Sequence, residues 1–539
     1  MILELKKHQE IPRNFLFNTN KKGLLIYHGL GSGKTLTAIS ISEFYKSLEV
    51  IVITPASLQD NFKKELVKYN VKKINRYTIT SFESFHKLLG IDKQTLNLGL
   101  FESWKEIELL KKSDLKVIAP NLYNKNISKK ELLLKIKPIY DVQQINKTDK
   151  TPFFKNKILI IDEVHRLHNN NGKIAKLILN EAKYAEKIIL LSGTPIVNHP
   201  SDISSLINLL SGNNELPCNK DKFDELFIKE TINIEKIPLF TFFGISFFKK
   251  TIYKKDYEII NADLFKKKIN WLVSFYNKKS KEFFPNVYDH HQAVVMSPLQ
   301  EQLHCKTEKE TLSKEDMEKM NGKIENYKVT NRVNCYLNKT RQISNIVKGD
   351  KDQNPQSKYY GLEVSPKILN IIKKLESGDK PILIYSNYLD FGLIPLANLL
   401  KVNNSNFELF TGSTDLKKKK EIVENYNKGQ LDILLISSSG CEGLDLKHTR
   451  QIHIMEPHWN SSKIDQVIGR GVRYKSHIDL PLSERRVDIY HWYSVYKDNK
   501  LSADEYLIEI SRKKKIINKK FIDLIENTCI EKNLGHVKR

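Results

Sequence analysis

Short apolar or β-branched runs recur along this chain with helix-compatible segments between them, and that rhythm limits what it can fold into. In the first half the runs fall at 24–27, 50–53, 77–80, 158–161 and 188–191, with helix-compatible stretches at 35–48 and 58–67. A strand that is apolar throughout must be covered on both faces, and parallel strands need a crossover segment, usually a helix. Near residue 366 the rhythm resumes, with runs at 382–385, 407–410, 433–436, 452–455 and 487–493. The predicted fold class is α/β, with two parallel-sheet domains joined by a mostly helical connector. The first domain is expected over 1–215, with a Lys-, Leu- and Asn-rich helical insertion at about 90–150. The connector is expected over 216–365, the second domain over 366–500 and a basic C-terminal helical tail over 501–539. No repeat of solenoid period is present.

The first apolar run leads directly into His28, Gly29, Leu30, Gly31, Ser32, Gly33, Lys34 and Thr35, followed by a helical pattern. Strand, glycine-rich loop and helix in that order make a P-loop. Its backbone N–H groups cradle phosphates, Lys34 reaches the β/γ oxygens and the Thr35 hydroxyl holds Mg²⁺. The strict GxxxxGK[ST] pattern asks for glycine where this chain has His28. The run at 158–161 ends in Asp162, Glu163, Val164 and His165. Two carboxylates at the end of a buried strand supply the other half of a nucleotide site. Asp162 would hold Mg²⁺ through its water shell and Glu163 would polarise the attacking water. An isolated acidic pair after a strand is commonly a solvated turn. Here it follows a P-loop in the order that nucleoside triphosphate hydrolysis requires.

Asp162, Glu163, Val164 and His165 form a DExH box, and the chain resembles the superfamily 2 helicase-type ATPases of the Swi/Snf-like branch. The other motifs of that group follow in order. Leu5, His8 and Gln9 resemble its adenine-reading glutamine segment. Thr54, Pro55, Ala56, Ser57 and Leu58, with Asn61, Phe62 and Glu65, resemble motif Ia. Ser81, Phe82 and Glu83 resemble motif Ib, and 191–196 with Asn198 resemble motif III. In the second half, 383–386 resemble motif IV, 411–413 the segment after it and 438–446 motif V. Gln466, Gly469, Arg470 and Arg473 form a QxxGRxxR motif VI, preceded by 456–460. Tyr474, Lys475, Ser476 and His477, with Leu480, Pro481, Arg485, Arg486 and Val487, resemble proteins of large cytoplasmic DNA viruses. Those include the poxvirus DNA-dependent nucleoside triphosphatase and the ATPase subunit of the poxvirus early transcription factor. The departures are His28 and Cys441, where the branch usually has glycine.

The resemblance implies two RecA-like domains and a nucleic-acid-dependent ATPase. Gln9 would read adenine, and the loop from His28 to Thr35, Leu30 included, would hold ATP. Thr35 and Asp162 would hold Mg²⁺. Catalysis would fall to Lys34, Asp162, Glu163, Gln466, Arg470 and Arg473, the two arginines acting as fingers on the γ-phosphate. Pro55, Ser81, Ser386 and Ser438 stand in loops after strands, where α/β sheets bind ligands, and would touch nucleic acid. DNA is expected over RNA, with RNA polymerase or other transcription machinery as a protein partner. The expected setting is viral transcription or genome processing, in the host cytoplasm or the virion. An RNA helicase of the DExH class and a promoter-binding transcription-factor subunit are the alternatives.

Composition bears on the partner. Lys and Arg number 88 against 63 Asp and Glu, a formal net charge of +25. Such an excess calls for a polyanion, nucleic acid first, although Lys, Asn and Ile are abundant throughout. The most apolar stretch, 238–248, is shorter than the roughly 18 to 20 residues that span a bilayer, and the N-terminus has no signal-peptide pattern. Cys218, Cys305, Cys335, Cys441 and Cys529 are odd in number and form no CxxC pair, so a reducing compartment is expected. His290 with His291, and His165 with His168, have no partner at metal-site spacing. The charge runs at 417–420 and 512–515 read as solvated helix faces, and Phe242, Phe243, Phe247 and Phe248 as packing residues.

Overall fold

The computed structural model describes residues 5–29, 31–90, 104–119, 122–124, 126–149, 152–167, 172–242, 245–277, 282–320, 331–347, 365–438, 444–498 and 500–537. The chain divides into two compact units. One comprises Met1–Lys229, Ile259–Asn277 and Lys520–Arg539; the other comprises Glu230–Glu258 and Lys278–Lys519.

In the first unit, strands β1 (Gly23–His28), β2 (Glu49–Ile53), β3 (Tyr77–Thr80), β4 (Lys157–Ile161) and β5 (Lys187–Ser192) form from the five predicted runs. Two further strands, β6 (Ile228–Phe242) and β7 (Ile245–Ile259), which fall almost wholly in the second unit, form a two-stranded sheet with each other, and β8 (Val273–Tyr276) returns to the first sheet. The sheet order is β3-β2-β4-β5-β1-β8, and every neighbouring pair is parallel. Side chains alternate between faces, so Leu24, Ile26, Val50, Val52, Ile158 and Ile160 share one core with Ala38, Ile39 and Ile41 of the helix Lys34–Ser42. Leu25, Ile51, Ile53, Leu159 and Ile161 point the other way and are equally buried. Parallel register brings the strand ends level: Ile53 lies opposite Ile161, Ile161 opposite Leu190, and Tyr27 opposite Ser192. His28, Thr54, Asp162 and Ser192 therefore emerge along one edge of the sheet, which is where this architecture binds ligands.

The second unit repeats the plan with β9 (Asn286–Val295), β10 (Ile382–Ser386), β11 (Phe407–Phe410), β12 (Ile433–Ser437), β13 (Gln451–Ile454) and β14 (Arg486–Val495). Their order is β11-β12-β10-β13-β14-β9, again parallel throughout. Both sheets have the all-parallel, helix-covered build of a RecA-like domain. The expected helical insertion appears as helices Trp104–Leu109, Lys112–Ile118 and Lys129–Asp149, which share a small core of their own around Ile107, Leu115, Leu132 and Ile136.

The stretch expected as a helical connector, 216–365, carries four strands besides its helices. Two of them, β8 and β9, are edge strands of the first and second sheets. The Lys-rich setting of β8 hid a short apolar run, and β9 is exposed on most of its length, so neither shows the continuous apolar signature. The tail also differs from expectation. Helix Ala503–Thr528 and the following Ile530–Val537 end inside the first unit, where Phe521 is fully buried with ring centroids 5.6 Å from Phe223 and 5.0 Å from Phe265. Ile530 joins the main core of that unit. Phe521→Ala should therefore destabilise the first unit by about 3–5 kcal/mol, the usual loss for an emptied aromatic site. Urea unfolding measures this. A change under about 1 kcal/mol would mean that the tail is not seated there.

Candidate functional site

The P-loop begins at the buried end of β1 and closes on the N-terminus of the helix Lys34–Ser42. Gly31 and Gly33 have φ of 74° and 80°, in the left-handed region that glycine enters without a Cβ penalty. At Gly33 space is a second requirement, since a Cβ there would lie 2.4 Å from Nε2 of Gln9. That amide donates to the carbonyl oxygens of Ser32 at 3.2 Å and Gly33 at 3.4 Å, while its Oε1 accepts from the Lys6 N–H at 2.9 Å. Gln9, expected to read adenine, is thus buried and committed to bracing the loop. His8 does the same, with Nε2 2.9 Å from the Ser32 carbonyl and its ring stacked on Tyr276 at 3.8 Å. Lys34 Nζ donates to the carbonyls of His28 at 3.1 Å and Gly29 at 3.4 Å. Thr35 is half-buried at the helix start, and Leu30 lies outside the described residues.

Asp162 leaves β4 almost fully buried, and its carboxyl is pushed up to about 7, by burial first and by the neighbouring Glu163 charge second. Lys34 pulls in the opposite direction, as do the Glu163 N–H at 3.0 Å from Oδ1 and the Thr54 hydroxyl at 3.4 Å from Oδ2. A carboxylate under-compensated in this way, facing a lysine and close to a second carboxylate, fits a divalent cation. Thr35 and Asp162 are the residues that would hold it. Glu163 itself sits at φ 51°, a left-handed conformation that is costly for a residue with a side chain. From there its Oε2 lies 3.3 Å from His165 Nδ1, which is also 3.2 Å from the Ser192 hydroxyl. Ser192 Oγ in turn accepts from the Thr194 N–H at 3.0 Å. The box at the end of β4 is thereby wired to the loop after β5.

In the second unit, Gln466 and Arg470 lie one turn apart on the helix Ser461–Gly471, both half-buried. Arg473 follows it, with Nη1 3.1 Å from Asp445 Oδ1 and 3.1 Å from the Leu444 carbonyl. Residues 439–443, with Cys441, lie outside the described residues.

The four expected nucleic-acid contacts fare unevenly. Pro55, Ser81 and Ser386 are buried, which withdraws their side chains from the role expected of them. A small hydroxyl at the end of a strand can close the turn that follows, and both serines do. Ser81 Oγ accepts from the Ser84 N–H at 3.1 Å, and Ser386 Oγ donates to Glu456 at 2.9 Å and accepts from the Tyr388 N–H at 3.1 Å. Ser438 is half-buried, with Lys463 Nζ 2.5 Å from its hydroxyl.

Around Glu456 lies a polar cluster that no local pattern announced. Asn345 donates its amide to Glu456 Oε2 at 2.9 Å and offers its carbonyl oxygen to Lys367 Nζ at 3.2 Å. Lys367 pairs with Asp504 at 3.1 Å, and Asp504 also accepts from the Ser494 N–H at 2.8 Å. Glu456, Lys367, Asp504 and Asn345 are all essentially inaccessible to solvent. Their sequence separation, rather than any weakness of the contacts, kept them invisible.

Comparison with known proteins agrees with this geometry. Residues 8–348 match the SNF2-related domain and 364–475 the helicase conserved C-terminal domain. Over 98% of both chains the sequence is 33% identical to the Acanthamoeba polyphaga mimivirus protein named "Putative ATP-dependent RNA helicase L538". A second mimivirus protein of the same description, R563, is 29% identical over 93% of this chain and 84% of its own length. The termination factor NPH-I homolog of African swine fever virus is 25% identical over 95% of this chain and 76% of its own length. With a P-loop, a DExH box and a motif VI inside those matched segments, the chain belongs to the SNF2-related helicase-type ATPases and is an ATP-hydrolysing enzyme.

Proposed function

We propose that this ATPase couples hydrolysis to movement along DNA, in viral transcription or genome processing. The observation that carries the reading is the run of contacts from Glu163 through His165 and Ser192 to Thr194, which starts beside Asp162, whose charge Lys34 favours. It joins the carboxylates of the DExH box to the segment after β5 that resembles motif III. A change at the γ-phosphate is then felt by a surface loop without any long-range rearrangement.

In this mechanism the P-loop N–H groups and Lys34 hold the ATP phosphates, and Glu163 accepts a proton from the attacking water. Magnesium, held by Thr35 and Asp162, would neutralise charge building up on the β/γ oxygens. Gln466, Arg470 and Arg473 would act on the same nucleotide, with the fixed guanidinium charge of the arginines stabilising the transition state. The resemblance of 474–487 to the poxvirus DNA-dependent nucleoside triphosphatase supports DNA as the track, and the name of the African swine fever virus relative, a termination factor, supports a role in transcription. The mimivirus relatives' names support an RNA helicase as the second reading, and ATPase rates with no polymer, single-stranded DNA, duplex DNA and RNA separate the two. The largest stimulation by RNA would reverse the assignment.

Lys34→Ala should abolish hydrolysis while nucleic-acid binding persists. Glu163→Gln should bind ATP and turn it over very slowly, because an amide cannot accept the proton. Arg473→Ala should slow hydrolysis by roughly 10³ to 10⁵ at saturating polymer with a much smaller effect on ATP affinity. Near-normal stimulated turnover in Arg473→Ala would remove the second unit from the chemistry. Polymer affinity should fall steeply with salt and vary little with base sequence, as expected when phosphate contacts release counterions. Strong sequence selectivity in a binding titration at several salt concentrations would favour a promoter-recognition role instead.

A further inference from the structure

His28 stands where the P-loop pattern has glycine, and the structure shows what surrounds the extra side chain. The imidazole is fully buried, with Nε2 2.8 Å from the Ser274 hydroxyl on β8. Burial holds its pKa well below the usual histidine range, assisted by His8 and Lys34, so the ring is neutral. The Ser274 hydroxyl in turn meets Glu531 Oε1 at 2.5 Å, and Glu531 Oε2 accepts the Phe275 N–H at 2.9 Å. Donation can run in one direction along this line, from imidazole N–H to serine oxygen and from serine O–H to carboxylate. Glu531 lies in the first turn of the last helix, Ile530–Val537, and Asn533 two residues on donates to Asn270 Oδ1 at 2.7 Å. The C-terminal segment is thus linked through Ser274 of β8 to His28 at the start of the phosphate loop. At the upper end of the same line the His28 carbonyl is one of the two that accept from Lys34 Nζ.

We propose that Glu531 is a positioning residue for Lys34, fixing through Ser274 the histidine whose carbonyl seats the lysine ammonium, so that nucleotide grip depends on the C-terminal helix. The inference rests on the ATP-site reading above. It differs from a simple packing role because the line ends on the phosphate-binding lysine. It also differs from the family pattern, in which glycine at this position offers no side chain to hold.

The test uses the full chain, with steady-state ATPase and equilibrium binding of a fluorescent ATP analogue, at a temperature where circular dichroism shows every variant folded. Glu531→Gln keeps the size, but with its oxygen on the Phe275 N–H it turns an amide N–H to Ser274 and forces the line to reverse, moving the His28 proton to the buried Nδ1 that has no hydrogen-bond partner. The KM for ATP should rise about tenfold, equivalent to about 1.4 kcal/mol, with kcat within about threefold. Ser274→Ala, which deletes one hydroxyl and threatens folding least, should do the same. In a His28→Gly background the additional effect of Glu531→Gln should shrink below about twofold, because the side chain it acts through is gone. A lowered melting temperature with unchanged KM in both single variants would overturn the proposal and leave Glu531 a packing residue. An undiminished effect in the His28→Gly background would overturn it too. Lys34→Ala is run alongside. If it loses hydrolysis while Glu531→Gln and Ser274→Ala keep their KM, the positioning role alone fails; if it still hydrolyses ATP, the site reading fails and takes the positioning role with it.

Discussion

A carboxylate buried at the end of a strand, with a second carboxylate next in sequence, sets the terms for the first unit. Asp162 cannot hold its charge there unaided, and its neighbours support that charge: a backbone N–H, the hydroxyl of Thr54 just after β2 and the lysine of the P-loop. The sheet order β4-β5-β1 makes this possible, since it leaves one strand between the box and the loop. That intervening strand ends in Ser192, which touches the box histidine. Electrostatic need and strand order are in this way the same constraint seen at two scales.

All ten runs became strands; the central ones, such as β1, β2, β4, β5, β10 and β12, were legible because a parallel strand covered on both faces must be apolar almost throughout, while the edge strands β3 and β11 were carried by their β-branched and aromatic residues. The P-loop was equally legible, because the positive φ values at Gly31 and Gly33 admit few residues other than glycine. Edge strands follow different rules. β9 is Asn286–Val295, with two histidines and an aspartate, and its side-chain hydrogen bonds with β14, between His290 and Asp488 and between His491 and Asp289, substitute for the apolar contacts of a central strand. Long-range partners were beyond reach. His28 could be recognised as an anomaly in its motif, but nothing near it in sequence points to Ser274 or Glu531.

The strand-end serines teach a separate lesson. Position alone suggested that Ser81 and Ser386 face a ligand, yet the Ser81 hydroxyl closes its own turn and that of Ser386 is shared between its turn and Glu456. A loop after a parallel strand has to satisfy its freed N–H groups before it can offer anything to a partner. What remains for nucleic acid in such loops is backbone and the longer side chains beyond the turn.

Asn345 stands between the buried charges of its cluster. Its amide gives an N–H to a carboxylate on one side and an oxygen to an ammonium on the other, so it sorts the buried charges by sign. An aspartate in its place would face Glu456 with like charge, and a lysine would face Lys367 in the same way. Exchanging the signs of the flanking residues would require the amide to flip and the backbone donor at Ser494 to find another acceptor. No single substitution leads from this arrangement to its mirror image without passing through an uncompensated buried charge. The cluster is therefore expected to drift through evolution as a block, holding the residues after β10 and β13 in a fixed relation while the surface around them varies.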